Sequence, residues 1–383
     1  SFDARILMQY PVVISGAGIL GCYISEALTL QGIDSVVLEK DIDEVEDSVR
    51  TITLNPFSKN LLDKIDIVND YSTINKMEVK DYDGSGKIVF KGTEIGMDHL
   101  AYVIDFVTLL KSVRKKAGEK ILYEEEIIGI VNNDSFHEVT LSSGKVIKTN
   151  LIISSDGKNS KIANKIPKSD KDYSQTALTF LASADKDLGM SAFQVFSDNG
   201  ICAFMPTRKE GEDLVTVVWS ISNDKIQNGY DEFIERNLEN ISRKIGNSFQ
   251  IRSKIQSFKL SSHNRSSYVD FPVVLVGDSA HSIHPLAGQG VNLGFEDANS
   301  LVKKITDTIN QSDTSNLKSN LNDYSNERRF QNEIMLKTMD GFVALFNESN
   351  PYIRFLRNFG LNTFNQSKFL KSFFVKAASG PIR

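Results

Sequence analysis

The stretch VVISGAGILGCYISEALTLQGIDSVVLE, residues 12–39, decides the fold of this chain. It opens with a short apolar run, residues 12–14, that predicts a buried parallel strand. Residues 19–30 carry apolar side chains at helical spacing, Gly32 ends that helix, and residues 36–38 form a second apolar run. A strand, a glycine turn, a helix and a strand within about 30 residues predict a βαβ unit.

The turn between this first strand and the helix is a GxGxxG motif. Gly16 permits the tight turn, Gly18 lets the backbone approach a pyrophosphate, and Gly21 allows close packing of helix on strand. The free N–H groups of the helix N-terminus favour phosphates. Glu39 ends the second strand, where an acidic residue accepts hydrogen bonds from an adenosine ribose. These features predict a Rossmann-like dinucleotide site, but they do not distinguish NAD from FAD.

Two later motifs favour FAD. In VGDSAH, residues 276–281, Asp278 follows a buried strand and is placed to accept hydrogen bonds from ribityl hydroxyls. In PLAGQGVN, residues 285–292, Gly288 and Gly290 suit close approach of backbone to a flat ring. A helix begins near Leu293, and its N-terminus stabilises negative charge on a flavin pyrimidine edge. A further motif, Asp156–Gly157, follows another buried strand.

The remaining patterns predict an α/β protein with two domains and a helical C-terminal region. The FAD-binding domain is a Rossmann-like βαβ fold with a mixed sheet, and it is discontinuous because an antiparallel-sheet substrate domain is inserted into it. The predicted FAD-binding segments are 1–75, 100–172 and 269–340. The substrate domain takes 76–99 and 173–268, and a helical tail takes 341–383.

In their order along the chain, these motifs resemble those of class A flavoprotein monooxygenases, the para-hydroxybenzoate hydroxylase superfamily. The similarity is greatest to the ubiquinone-biosynthesis hydroxylases of the 2-polyprenyl-6-methoxyphenol hydroxylase type, and it spans nearly the whole chain. The segments that carry it are GDSAHSIHPLAGQGVNLG (277–294), RTITLN (50–55), AFMP (203–206) and VVWS (217–220).

The resemblance implies an FAD site with the following members: Gly16, Gly18, Gly21, Glu39, Arg50, Asp278, Pro285, Gly288, Gln289, Gly290, Val291 and Asn292. Asp156 and Gly157 match the motif that serves both FAD and NAD(P)H in the family. Three positions depart from the family pattern. Ser155 and Ser279 stand where alanine is usual, and Phe106 stands where this branch usually has a polar residue near the flavin.

The activity implied is hydroxylation of a polyprenylated phenol in ubiquinone biosynthesis with NAD(P)H and O2, through a flavin C4a-hydroperoxide. His281 and His284 are either general acids or bases, or structural residues that fix the loop before Pro285. Candidate substrate-lining residues, each also typical of a core, are Phe193, Phe204, Met205 and Trp219. Two alternatives remain open: a flavin-dependent reductase or dehydrogenase of the same fold, and a non-catalytic prenyl-binding protein.

Composition limits the other classes of function. A formal net charge of −5 gives no indication of nucleic-acid binding. The two cysteines, Cys22 and Cys202, are predicted to be buried, and no spacing of histidines and cysteines indicates a metal site. No signal peptide or membrane-spanning stretch is recognised. We therefore expect a cytoplasmic protein, or one peripheral to the inner membrane.

The predicted tail, residues 341–383, differs from the rest of the chain. It holds eight of the 23 phenylalanines, and its six basic residues against one glutamate give it a charge of +5. A basic, phenylalanine-rich helix is typical of a membrane-facing element or of one that binds a partner, here a quinone-biosynthesis assembly. The alternative is a helical cap packed on the FAD-binding domain.

Overall fold

The computed structural model describes residues 7–82, 86–133, 136–226, 229–283, 289–311 and 315–347. Within these ranges the α-helices are α1 (Ile19–Leu30), α2 (Pro56–Lys64), α3 (Phe106–Ala117), α4 (Tyr230–Lys244), α5 (Gln289–Ile305) and α6 (Ser315–Asn347). Short 3-10 helices are formed by Gly92–Ile95, Gly118–Lys120, Asn223–Lys225 and Gly277–Ser279.

The strands of the first half are β1 (Leu7–Gln9), β2 (Val12–Ser15), β3 (Ser35–Glu39), β4 (Thr51–Leu54), β5 (Ser72–Ile74), β6 (Lys76–Asp81), β7 (Lys87–Lys91), β8 (Ala101–Asp105), β9 (Ile121–Tyr123), β10 (Ile127–Asn132), β11 (His137–Leu141), β12 (Val146–Thr149) and β13 (Leu151–Ser154). Those of the second half are β14 (Lys168–Ala184), β15 (Ser191–Ser197), β16 (Gly200–Lys209), β17 (Glu212–Ser222), β18 (Phe249–Ile251), β19 (Gln256–Arg265), β20 (Val269–Asp270), β21 (Val273–Leu275) and β22 (His281–Ser282).

A six-stranded mixed sheet carries the predicted βαβ unit. Its order is β20-β21-β13-β2-β3-β9, and every pair is parallel except β20 with β21. The four central strands are buried along their whole length, which explains their continuous apolar runs. Because they are parallel, their carboxyl ends, followed by the glycine turn, Glu39, Asp156 and Asp278, meet at one edge. The Rossmann-like fold is confirmed.

A nine-stranded sheet forms the second layer, in the order β22-β19-β14-β17-β16-β15-β6-β7, with β18 also paired to β14. Its pairs are antiparallel except β15 with β6, which is parallel. The predicted antiparallel sheet is therefore found, with this one correction. The parallel pair arises because β6 comes from an earlier part of the chain and joins the edge of a later meander.

The two largest hydrophobic cores of the described residues accompany the two sheets. The larger contains the six-stranded sheet, α1, and parts of α3, α5 and α6. The smaller lies between the nine-stranded sheet and α4. The boundaries of the predicted domains stay a prediction, and two strands cross them: β14 begins at Lys168, before position 173, and β22 pairs with β19 from within the predicted FAD segment.

The C-terminal part of the chain is helical as predicted, through α5 and the long α6. Most of the predicted tail, from residue 348 onward, lies outside the described residues. Among the residues that the structure describes, no helix is both long and apolar enough to cross a membrane.

Candidate FAD and substrate site

The glycine turn between β2 and α1 leaves no room for side chains at two of its three positions. Gly16 has a φ of +101°, and a Cβ there would lie 2.8 Å from the Cα of Asp156. A Cβ on Gly21 would lie 2.0 Å from the carbonyl oxygen of Gly16. At Gly18 a Cβ would meet nothing within 4 Å. Gly16 and Gly21 thus serve the fold itself, whereas the space beside Gly18 is open, and binding of a pyrophosphate there stays a prediction.

Glu39 lies beside this turn, where the sequence predicts it. Its Oε2 accepts a hydrogen bond from the Ala17 N–H at 3.1 Å and lies 3.2 Å from Nη2 of Arg114. The Nε of Arg114 donates to the Ala17 carbonyl oxygen at 2.9 Å. Arg114 comes from α3, and sequence analysis missed it because no local motif links it to Glu39.

The surroundings of Glu39 fit an adenosine diphosphate group. The Nη1 of Arg114 is buried and has no hydrogen-bond partner among the described residues. A buried donor without a partner is costly, so a ligand oxygen at this place would relieve it. An unmatched guanidinium donor next to a carboxylate matches the ribose hydroxyls and phosphate oxygens of FAD.

Serine side chains join Asp156 to the glycine turn. Ser154 Oγ donates to Oδ1 of Asp156 at 2.6 Å, and Ser15 Oγ donates to its Oδ2 at 3.2 Å. Ser155 Oγ lies 3.0 Å from the carbonyl oxygen of Ser15 and 3.1 Å from that of Gly16. The serine that replaces the usual alanine at 155 therefore links the central motif to the first one. Gly157 adopts a φ of +84° with open space around it.

Asp278 lies in the 3-10 turn that follows β21. Its side chain is accessible to solvent, yet the surrounding protein atoms raise the pKa of the carboxyl, against the lowering effect of His281 and Arg50. The next residue, Ser279, places its Oγ 2.6 Å from the Ser154 carbonyl oxygen. The second departure from the family pattern thus ties the Asp278 turn to β13.

The structure describes only part of the predicted flavin-binding segment, residues 285–292. His284, Pro285 and Gly288 lie outside them, and Gln289 begins α5. A Cβ on Gly290 would meet nothing within 4 Å, and Val291 packs against the larger core. Asn292 accepts a hydrogen bond from the Asn55 N–H at 2.9 Å and donates to the Thr53 carbonyl oxygen at 3.0 Å. Asn292 therefore fixes α5 to β4, and its contact with FAD stays a prediction.

His281 belongs to a buried polar cluster behind the Asp278 turn. Its Nε2 lies 2.5 Å from Oδ2 of Asp297, which also accepts the Gly277 N–H at 3.2 Å. Oδ1 of Asp297 accepts Nε of Arg328 at 2.7 Å and Nδ2 of Asn332 at 3.2 Å. Burial raises the pKa of Asp297, but the facing His281 and Arg328 outweigh burial and hold that pKa well below its usual range. This geometry favours the structural alternative for His281.

Arg50 lies where the two layers meet. Its guanidinium carbon is 4.8 Å from the ring centroid of Phe106 at the start of α3, and 5.5 Å from that of Phe258 in β19. Arg50 is accessible to solvent, yet the surrounding protein atoms lower its pKa, and the charge of Asp278 acts in the opposite direction. The charges of the Arg50 guanidinium and the Asp278 carboxylate therefore influence each other.

Three of the four predicted substrate-lining residues lie on the side of the nine-stranded sheet that packs against α4, and their contact with substrate stays a prediction. Phe204 is fully buried, stacks on Phe249 at 4.7 Å, and shares the smaller core with Phe193, its partner in the strand register. Trp219 is also fully buried and packs edge-on against Phe233 of α4 at 5.2 Å. Aromatic residues of alternating strands fill a core as readily as a cavity, so residue type alone did not distinguish the two faces.

Met205 has the opposite orientation. Its sulfur lies 3.5 Å from Oγ1 of Thr53 in β4, on the side of the FAD-binding segments. Gln256 of β19 confirms which segments cover this face, because its Oε1 accepts hydrogen bonds from Ser48 Oγ at 3.2 Å and the Val49 N–H at 3.4 Å. The face of the nine-stranded sheet that includes Met205 is called the inner face below.

Strand register identifies the other members of the inner face. Side chains paired across neighbouring strands point the same way, so two further rows follow that of Met205 along β16. One row is Thr179, Val218, Ala203 and Gln194, and the next is Ala177, Ser220, Ile201 and Phe196. None of these side chains is charged. Sequence analysis missed them because only the alternation of side chains along each strand identifies them: they point away from the face that carries Trp219 and Phe204. That alternation can be used only when the orientation of one residue is known.

Comparison with known proteins identifies the family. A family model described as FAD binding domain matches residues 9–337. The chain belongs to this FAD-binding domain family. As a member of the family it has FAD as its cofactor, in agreement with the open pyrophosphate position at Gly18 and the unmatched donor of Arg114.

Similar proteins span almost the whole of the chain. It is 26% identical to the 3-demethoxyubiquinol 3-hydroxylase of Escherichia coli (strain K12), over 96% of this chain and 98% of that protein. It is 25% identical to the mitochondrial ubiquinone biosynthesis monooxygenase COQ6 of Danio rerio, over 97% of this chain and 90% of that protein. The crystal structure of p-nitrophenol 4-monooxygenase PnpA from Pseudomonas putida DLL-E4 superposes with a TM-score of 0.80 at 18% identity, covering 98% and 99% of the two chains.

Proposed function

We propose that this protein is an FAD-dependent monooxygenase that hydroxylates a polyprenylated phenol in ubiquinone biosynthesis, using NAD(P)H and O2. The observation that carries the proposal is the pair of uncharged side-chain rows on the inner face, which the FAD-binding segments at Ser48 and Thr53 cover. The chain also matches, over almost its whole length, a 3-demethoxyubiquinol 3-hydroxylase and a ubiquinone biosynthesis monooxygenase. A neutral phenol ring needs a neutral, water-excluding surface of this kind.

The bound FAD supplies the redox and oxygen chemistry, and the side chains of this chain bind, orient and exclude water. Thr179, Gln194 and Ser220 are the hydrogen-bonding groups of the two inner-face rows, and they suit a phenol hydroxyl or methoxyl group. The surrounding apolar residues keep water from the reacting ring. No cluster of potential metal ligands occurs among the described residues.

An apolar cluster at the far end of the inner face supports a prenylated substrate. Val79, Ile88, Phe196 and Ile201 are buried together, with Met77, Phe90 and Tyr173 packed against them. Burial and the neighbouring Asp340 raise the pKa of Tyr173 to about 12, so its hydroxyl stays protonated and uncharged at neutral pH. A chain of isoprene units extending from the ring along this surface buries apolar area with every unit.

Oxygen incorporation tests the proposal directly. Purified protein supplied with FAD, NAD(P)H and ¹⁸O2 is expected to add one labelled oxygen atom to a phenol that carries a short prenyl chain. The KM is expected to fall as prenyl units are added. NAD(P)H oxidation without label in the phenol would support the reductase alternative. Phenol binding without NAD(P)H oxidation would support the non-catalytic binding protein.

Contact with a membrane or with a quinone-biosynthesis assembly is a further part of the proposal, and it rests on the composition of the tail. The tail combines eight phenylalanines with a charge of +5, whereas the whole chain has a net charge of −5. Full-length protein is expected to co-sediment with anionic vesicles at low salt, and changing Lys368, Lys371 and Lys376 to Glu is expected to abolish this. Equal sedimentation of both proteins would support the capping alternative.

A further inference from the structure

The Arg50 guanidinium contacts two aromatic rings and, among the described residues, forms no ion pair with a carboxylate. The rings of Phe106 and Phe258 lie 4.8 Å and 5.5 Å from its guanidinium carbon. In the ranges that the structure describes, no carboxylate oxygen lies within 4.0 Å of its nitrogens, although the charge of Asp278 acts on it across the site. The positive charge of Arg50 is therefore oriented without being neutralised.

This arrangement suits a cation that has to bind an anion. A carboxylate placed against Arg50 would compete with the pyrophosphate for the guanidinium. The negative face of an aromatic ring attracts the cation but leaves its N–H groups free for oxygen atoms. Phe106 is one of the departures from the family pattern, and the ring supplies at that position an electrostatic contact in place of a polar one.

We propose that Phe106 and Phe258 are positioning residues that hold the Arg50 guanidinium toward the anionic part of FAD. The inference rests on the proposed contact between Arg50 and FAD. Phe258 belongs to β19 of the nine-stranded sheet, and its side chain is on the inner face, paired in register with Ala177. Part of the FAD-binding geometry is thus supplied by the sheet that also binds the substrate.

Titration of FAD into apoprotein, followed by flavin fluorescence, tests this without any need for turnover. Phe258→Leu removes the ring but keeps an apolar side chain, and Phe258→Tyr keeps the ring. We expect Phe258→Leu to raise the Kd for FAD about three- to tenfold, and Phe258→Tyr to stay within about twofold of the wild type. The same pair of changes at Phe106 is expected to give the same order.

Phe258 is 40% exposed, so these variants are expected to fold, and circular dichroism of the apoprotein verifies this. Phe136→Leu is a matched control. Its ring also lies against a cation, since the Nζ of Lys148 in β12 is 4.4 Å from the ring centroid, but this pair is away from the FAD site. Its Kd for FAD is expected to be unchanged. Arg50→Met completes a double-mutant cycle: in that background Phe258→Leu is expected to have no further effect.

Three results would overturn the inference. If Phe258→Leu and Phe258→Tyr weakened FAD binding equally, the shape of the side chain, and not the electrostatics of the ring, would determine FAD affinity. An undiminished effect of Phe258→Leu in the Arg50→Met background would mean that the ring does not act through Arg50. An unchanged Kd for FAD in Arg50→Met would mean that Arg50 does not contact FAD. The proposed hydroxylase activity would not be affected by that result, because the oxygen-labelling experiment tests it separately.

Discussion

The proposed FAD site at the strand ends of the six-stranded sheet and the proposed substrate surface on the inner face of the nine-stranded sheet leave different traces in the sequence. At the strand ends the backbone itself forms the site, so glycine is required at Gly16 and Gly21, where a Cβ would collide with neighbouring backbone. On the inner face the proposed substrate surface consists of side chains of one strand parity, and it includes ordinary residues such as Ala203 and Val218. A site made of backbone is visible as a motif, whereas a site made of a surface is visible only once the orientation of its strands is known.

Adjacent residues in β16 give the largest expected difference between the two faces. Phe204→Ala removes a fully buried ring that stacks on Phe249, and we expect it to lower the free energy of unfolding by about 3–5 kcal/mol. Its neighbour Ala203 lies on the inner face, and Ala203→Leu is expected to raise the KM for the phenol while leaving thermal stability nearly unchanged. Thermal denaturation and steady-state kinetics of both variants check this. A large KM effect in Phe204→Ala with unchanged stability would reverse the assignment of the faces.

The same contrast determines how much of the molecule the sequence predicts. The βαβ unit and the buried strands before Asp156 and Asp278 follow from apolar runs and periodicity, and they occur where expected. The strand Gln256–Arg265 was not predicted, because eight of its ten residues are polar or charged and no apolar run marks it. Arg114 and Asp297 were not predicted as site residues, because they act on Glu39 and Gly277 from helices distant in sequence.

His263 lies in β19, where the nine-stranded sheet meets the Asp278 turn, and it gives the next largest expected effect. Its Nδ1 lies 2.7 Å from Ser282 Oγ, and burial together with the nearby His281 lowers its pKa to about 4. In the unfolded chain its pKa is about 6.5. Between these values the unfolded state binds the extra proton, so stability falls as the pH is lowered from about 6.5 to about 4, by about 3 kcal/mol in total.

Denaturant unfolding at a series of pH values measures this effect. His263→Gln is expected to lose that part of the pH dependence, since glutamine does not titrate, while stability at pH 8 changes by less than the wild type loses on acidification. His137 in β11 provides a control, because burial also lowers its pKa and it lies away from the place where the nine-stranded sheet meets the Asp278 turn. Identical pH profiles for the wild type and His263→Gln would show that His263 is protonated equally in the folded and unfolded chains.

The glycine turn gives the smallest expected change in stability and the sharpest separation of fold from cofactor. Gly21→Ala places a Cβ 2.0 Å from the Gly16 carbonyl oxygen, and separating α1 from the turn is expected to cost about 2 kcal/mol of unfolding free energy even in the apoprotein. Gly18→Ala meets nothing within 4 Å, so the apoprotein is expected to keep its stability or gain slightly. Because a methyl group at position 18 occupies the space next to the pyrophosphate, the Kd for FAD is expected to rise at least tenfold in that variant. Denaturant unfolding of the two apoproteins measures the change in stability, and titration of both with FAD measures the change in Kd. If Gly18→Ala bound FAD as tightly as the wild type, the pyrophosphate would have to lie elsewhere along the strand ends, toward Asp156 or Asp278.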